Sequence, residues 1–213
     1  FSKSFDPENK YTIPHYWGTL GILYNTRLVD EEVDSWDILF NQKYSGQIIM
    51  ENSVRDSFVP ALKLLGYSIN TDNTDELDEA EAMLKEQRPM VQAYLLDSAR
   101  DEMIAENAAI ALVYSGEAPY ATEYNEDLAY VVPKQGSNVW VDSWAITKDC
   151  KNTENAEKFL NYLLEVEISK ISFEYNHYGT PNKKLAEILP AKYTEDPALF
   201  PPSNVLDNCE IFK

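Results

Sequence analysis

Trp140-Val141-Asp142-Ser143-Trp144 is where this chain gathers side chains that can do chemistry together. The run from Asn138 to Thr147 alternates apolar and polar residues and reads as a β-strand. Side chains two apart on a strand share a face, at a spacing of roughly 6.5–7 Å. Trp140 and Asp142 can therefore present an indole face and a carboxylate to the same point. An organic ammonium is drawn to such a pair, because the ring attracts it through its quadrupole and the carboxylate accepts its N–H donors. A packed strand with one satisfied carboxylate would show the same residues, so the rest of the chain has to decide.

Catalytic patterns are missing. There is no GxGxxG, Walker A loop, HExxH or GxSxG. His15 and His177 each lie beside a tyrosine and read as structural or surface histidines rather than bases. Asp72-Asn73-Thr74-Asp75-Glu76 looks like a calcium loop but lacks the glycine at its sixth position, so it reads as a helix start. Cys150 and Cys209 have no metal-ligand spacing, and whether they pair stays open. With 36 acidic residues, any glycosidase-like carboxylate pair would be a chance choice. The residues call for no catalysis, no cofactor and no metal.

The elements that must position the Trp140/Asp142 pair alternate between strand and helix. Strands are expected over Tyr11 to Asn25 (with a bend), Gly46 to Met50, Met90 to Leu96, Ala108 to Tyr114, Leu128 to Pro133 and Val139 to Thr147. Helices are expected over Ser53 to Gly66, Asn73 to Gln87, Ser98 to Asn107, Ala118 to Tyr124, Asn152 to Leu164 and Glu167 to Tyr175, with a short turn at Ser35 to Phe40. The tail from Tyr193 reads as loop-rich, without an obvious terminal helix. This order indicates an α/β protein with a central, mostly parallel sheet flanked by helices. Ligands in such sheets sit off the carboxyl ends of the strands.

The 213 residues allow one large or two small domains with ample core. A net charge of −18 repels phosphate backbones, which argues against nucleic acid, and attracts polycations at low ionic strength. No apolar run reaches the ~18 residues of a membrane span. The chain begins at Phe1 without a signal peptide and reads as a processed or excised piece, so that lack says little about compartment.

Several segments resemble one family in order. Tyr16-Trp17-Gly18-Thr19-x-Gly21-Ile22-x-Tyr24-Asn25 is similar to the first interdomain crossover strand of the polyamine (spermidine/putrescine) substrate-binding proteins of ABC importers, of periplasmic-binding-protein type II. Trp36-Asp37-x-Leu39, Tyr44-x-Gly46, Arg55-Asp56-x-Phe58, Leu65-Gly66-Tyr67, Tyr114-Ser115-Gly116, Val132-Pro133-Lys134-x-Gly136, Trp140-Val141-Asp142-Ser143 and Tyr178-Gly179-Thr180-Pro181-Asn182 continue the series. The resemblance implies a lobe of that fold plus a fragment of the other lobe, most of the first lobe being absent. Residues 18–140 and 184–213 would form the ligand-binding second lobe, and residues 1–17 and 141–183 the hinge strands and first-lobe remnant.

The same resemblance implies the site. Asp142 would bind an amine and Trp140 would stack on the ligand's methylenes. Asp56 matches an acidic ligand position, although Ser53-x-x-Asp56 is also a serviceable capping box. Ser53 stands where some relatives have a second carboxylate. Tyr114 sits where the family usually shows an aromatic, often tryptophan, Tyr178 would be a ligand-facing aromatic, Trp17 and Thr19 would line the cleft floor, and Glu210 falls near a polar contact. The implied partners are a polyamine and the importer's membrane subunits, at the periplasmic or extracellular face of a bacterial membrane, with membrane association only through an absent N-terminal anchor or the permease. The competing readings are a binding protein for an amino-phosphonate, thiamine or ferric ion, a secreted glycosidase-like enzyme, and an adhesive domain without a small-molecule site.

Overall fold

The computed structural model describes residues 6–213, so the first five residues of the 1–17 segment lie outside the described residues. Strand β1 (Ile13–Asn25) is the longest element of the sheet, followed by β2 (Ile48–Glu51), β3 (Val91–Leu95), β4 (Ile110–Tyr114), β5 (Leu128–Val131) and β6 (Val139–Trp144). The main sheet runs β3-β2-β4-β1-β5, and β6 pairs with the first half of β1. Strand β2 is parallel to β3 and β4, whereas β1 is antiparallel to β4, β5 and β6. The expected mostly parallel sheet therefore holds for direction, with five strands pointing one way, but the pairing is mixed. The reason is β1, which enters between β4 and β5 against their direction.

Strand alternation builds two cores, one per face. Leu20, Ile22, Ile48, Met50, Ile110 and Leu112 pack on one side with Trp36, Leu39 and Val59. Leu23, Ile49, Ala111 and Val113 face the other, against Ala99, Met103, Ala118 and Ala121. The first face is thus covered by the turn Trp36–Phe40 and helix α1 (Val54–Leu64), and the second by α3 (Ser98–Ile104) and α4 (Glu117–Tyr124). Helix α2 (Thr74–Gln87) rests on α1 through Ala61, Leu62 and Ala80. Capping residues stand where the sequence puts them: Ser53 and Asn73 are N-caps, and Gly66 takes φ +80° after α1, a value costly for any residue with a Cβ.

The C-terminal third differs. Helices α5 (Thr153–Leu163) and α6 (Val166–Asn176) leave Phe159, Tyr162, Ile171 and Tyr175 exposed. They flank a second cleft of about 430 Å³ lined by Ile13, Tyr16, Trp144, Leu160, Leu163 and Pro181. Phe173 packs on Leu185, Leu189 and Leu199, so one small core straddles the 183/184 boundary expected from the sequence. Short helices α7 (Lys183–Ile188) and α8 (Ala191–Thr194) lead into the tail, which carries α9 (Ser203–Leu206) and is otherwise loop-rich. The last two follow prolines, which tolerate a first-turn position but obscured them among turn-forming residues.

Candidate functional site

Five of the nine residues singled out in the sequence, Asp56, Tyr114, Trp140, Asp142 and Tyr178, line one open groove of about 400 Å³ together with Asn138 and Phe212. Trp140 and Asp142 come from the same face of β6, as period-two alternation requires. Tyr114 ends β4, and Asp56 sits in the first turn of α1. Tyr178 follows His177, which closes α6 with φ 56°, a left-handed turn that redirects the chain.

Two glycines clear the space that the aromatic rings occupy. A Cβ on Gly18 would lie 2.5 Å from Cζ2 of Trp140, and one on Gly116 would collide with the Tyr178 ring. The rings then meet edge to face, Trp140 with Tyr178 at 4.9 Å and with Tyr114 at 6.0 Å between centroids. Such a cluster exposes π faces and apolar edges to whatever lies in the groove.

Asp56 is only 5% exposed. Its Oδ2 accepts hydrogen bonds from Tyr114 Oη at 2.8 Å and Ser53 Oγ at 2.6 Å, and its Oδ1 accepts one from Asn138 Nδ2 at 3.4 Å. The capping box forms by half. Ser53 Oγ accepts from the Asp56 N–H at 3.5 Å, while the Asp56 carboxylate turns to the groove instead of returning to the Ser53 N–H. Every donor to this carboxylate is neutral, and no lysine or arginine pairs with it among the described residues. Asp142 is exposed and makes no hydrogen bond or ion pair among the described residues.

The phenols stay protonated donors. Burial, with the charge of Asp56 beside it, pushes the Tyr114 hydroxyl far above its ordinary value, and burial with Glu117 does the same for Tyr178. Tyr178 Oη donates to Glu117 Oε1 at 3.3 Å, and Arg100 Nη1 holds Glu117 Oε2 at 2.9 Å.

Four of the residues singled out, Thr19, Trp17, Ser53 and Glu210, do not line the groove. Thr19 is fully buried, sharing a hydrogen bond of 3.2 Å with Tyr130 Oη while its N–H donates to Ser115 Oγ at 3.2 Å. It belongs to the core and not to a cleft floor, because β1 is covered on both faces at this point. Trp17 donates its N–H to the Gly179 carbonyl at 3.0 Å and meets Phe200 edge-on at 6.4 Å, so it braces the turn that carries Tyr178. Ser53 caps α1 and donates its hydroxyl to the Asp56 carboxylate.

Glu210 is an anchor. It accepts from Lys63 Nζ at 2.6 Å, from Ser68 Oγ and from the Ile69 N–H at 3.3 Å, and its backbone bonds to Ser137 and Val139 at 2.8 Å each. That anchor brings Phe212 to the groove, with the Arg55 guanidinium 3.9 Å from its ring centroid. Phe212 and Asn138 were missed in the sequence. Phe212 carries no local signal, and Asn138 showed only as the polar start of a strand.

A groove of aromatic faces and cation-free carboxylates can seat an organic cation with an apolar body. Comparison with known proteins agrees in kind. The family model described as "Bacterial extracellular solute-binding protein" matches residues 1–201. The spermidine/putrescine-binding periplasmic protein of Escherichia coli (strain K12) is 33% identical over 98% of this chain and 60% of its own length. The putrescine-binding periplasmic protein SpuD of Pseudomonas aeruginosa (strain UCBPP-PA14) is 30% identical over 97% of this chain and 61% of its own length. The crystal structure of the spermidine/putrescine ABC transporter substrate-binding protein PotD from Streptococcus pneumoniae superposes with a TM-score of 0.89 at 38% identity, covering 99% of this chain and 65% of that one. The chain thus spans about 60% of the length of the curated relatives it matches. These relatives are binding proteins rather than enzymes, and with the family model matched along 201 of its 213 residues this chain belongs to the bacterial extracellular solute-binding proteins.

Proposed function

We propose that the Asp56–Trp140–Asp142 groove is half of a polyamine-binding site, in the solute-binding component of an ABC importer working outside the bacterial cytoplasmic membrane with the importer's membrane subunits as partners. The observation that carries this reading is Asp56, a carboxylate 5% exposed, held by three neutral donors and by no cation of the described chain. A buried anion without a counter-charge is costly, and a ligand ammonium supplies one. Trp140, Tyr114, Tyr178 and Phe212 offer faces for methylenes, and Asp142 takes a second amine at the open end. In this reading Ser53 and Trp17 position the site rather than touch the ligand.

The open groove implies a second wall. Residues 18–140 and 184–213 would form one lobe, with 1–17 and 141–183 leading to the other. The exposed apolar side chains of α5 and α6 support this division, as does the 40% of the relatives' length that has no counterpart here. Calorimetric titration of the full-length protein with spermidine and putrescine should show one site, and the 213-residue chain alone should bind far more weakly. Absence of binding by the full-length protein to either amine would overturn the proposal.

A further inference from the structure

Behind Asp56 the carboxyl ends of β2, β3 and β4 bring together more negative charge than the groove itself uses. Glu51, the last residue of β2, is 2% exposed. Its backbone carbonyl accepts from Ser57 Oγ at 2.6 Å, but its carboxyl group makes no hydrogen bond or ion pair among the described residues. The groups that face it are Asp56 from α1, Asp97 from the loop before α3, Glu117 from the first turn of α4 and Tyr114 from the end of β4. Arg100, from α3, is already engaged by Glu117 and Asp101 and stacks on Tyr120 at 4.1 Å. Tyr114 and Tyr178 tie this acidic cluster to the groove, one bonding Asp56 and the other Glu117.

A buried carboxyl among like charges keeps its proton. Here burial first, and then the charges of Asp56, Asp97 and Glu117, push Glu51 up to about 8. A cation seated on Asp56 reverses that environment, since an opposite charge within ~4–6 Å favours the ionised carboxylate.

Resting on the polyamine reading above, we propose that Glu51 is a further cation-binding determinant of this site, neutral in the empty groove and ionised when a ligand ammonium settles against Asp56, so that capture releases one proton. The Glu51 O–H bond breaks, its electron pair stays on the carboxylate, and the proton passes to buffer. The carboxylate then adds to the field that holds the ammonium without needing a cation of its own in the empty state. Below pH ~8 the ligand must displace the proton, so affinity rises with pH and levels off above that value, tenfold for each unit by which the ligand lowers the Glu51 pKa.

Spermidine titrations of the full-length protein between pH 6 and about 7.5, where the ligand's own amines stay protonated, in two buffers of different ionisation enthalpy, test this. Wild type should release a proton and bind more tightly as pH rises, whereas Glu51→Gln should bind with little proton release and a flat profile over the same range. Undiminished release by Glu51→Gln, or wild-type binding without release, overturns the inference and leaves the polyamine reading intact. No spermidine binding by wild type overturns both. Should Glu51→Gln fail to fold, the wild-type buffer dependence still decides. Melting supplies an independent check. Raised above its unfolded value, Glu51 contributes stability that is full below about 4.3 and lost as pH rises through about 8. Wild type should therefore lose melting temperature relative to Glu51→Gln across that window, and parallel curves would count against the neutral Glu51.

Discussion

The two ends of the groove hold their carboxylates in opposite ways. Asp56 is buried and fixed by Tyr114, Ser53 and Asn138, whereas Asp142 stands exposed on β6 with no hydrogen bond among the described residues. The first end is preorganised. Its desolvation cost is met during folding, so a ligand ammonium arriving there gains a full charge-assisted contact. The second end is unfinished, and an amine reaching it in this chain alone stays half in water, where an ion pair is worth about 0–1 kcal/mol.

Breaking the buried end should cost most. Asp56→Ala in the full-length protein is expected to weaken spermidine binding by about 2–5 kcal/mol and also to lower the melting temperature, since Tyr114 and Ser53 lose their acceptor. Calorimetry and thermal melting read the two effects, and an unchanged dissociation constant would make Asp56 a mere capping residue. Asp142→Asn is expected to cost about 1.5–3 kcal/mol of binding in the full-length protein while leaving its melting point in place. A loss at Asp142 that exceeds the loss at Asp56 would invert the comparison. Smallest is the aromatic step between the two ends: Trp140→Phe keeps a face for the cation and should lose about 0.5–2 kcal/mol less than Trp140→Ala. Equal losses with equally lowered melting points would mark Trp140 as packing.

Much of this arrangement was legible in the sequence because it rests on local rules. Ser53, Asn73 and Gly66 bound their helices through capping and turn chemistry that operates within a few residues. Trp140 and Asp142 share the groove by strand alternation. Reading failed where a distant partner decides. Thr19 was expected in a cleft, but Tyr130, 111 positions away, takes its hydroxyl into the core. Phe212 was invisible because the contact that delivers it, Lys63 with Glu210, spans 147 positions. The buried carboxyl group of Glu51 was equally hidden, since GQIIM followed by Glu51 reads only as the end of a strand.

Strand β1 has a consequence for how the chain assembles. It precedes every other strand of this sheet in the sequence, yet all its ladder partners, β4, β5 and β6, lie between residues 110 and 144. An apolar stretch of 13 residues must therefore wait, without its ladder partners, until residues 110–144 have followed it. Closing such long loops is slow, and an unpaired strand of this composition is a template for other chains in the meantime. Refolding yield should accordingly fall with protein concentration, and the segment Ile13–Asn25 is where a holding chaperone has most to gain.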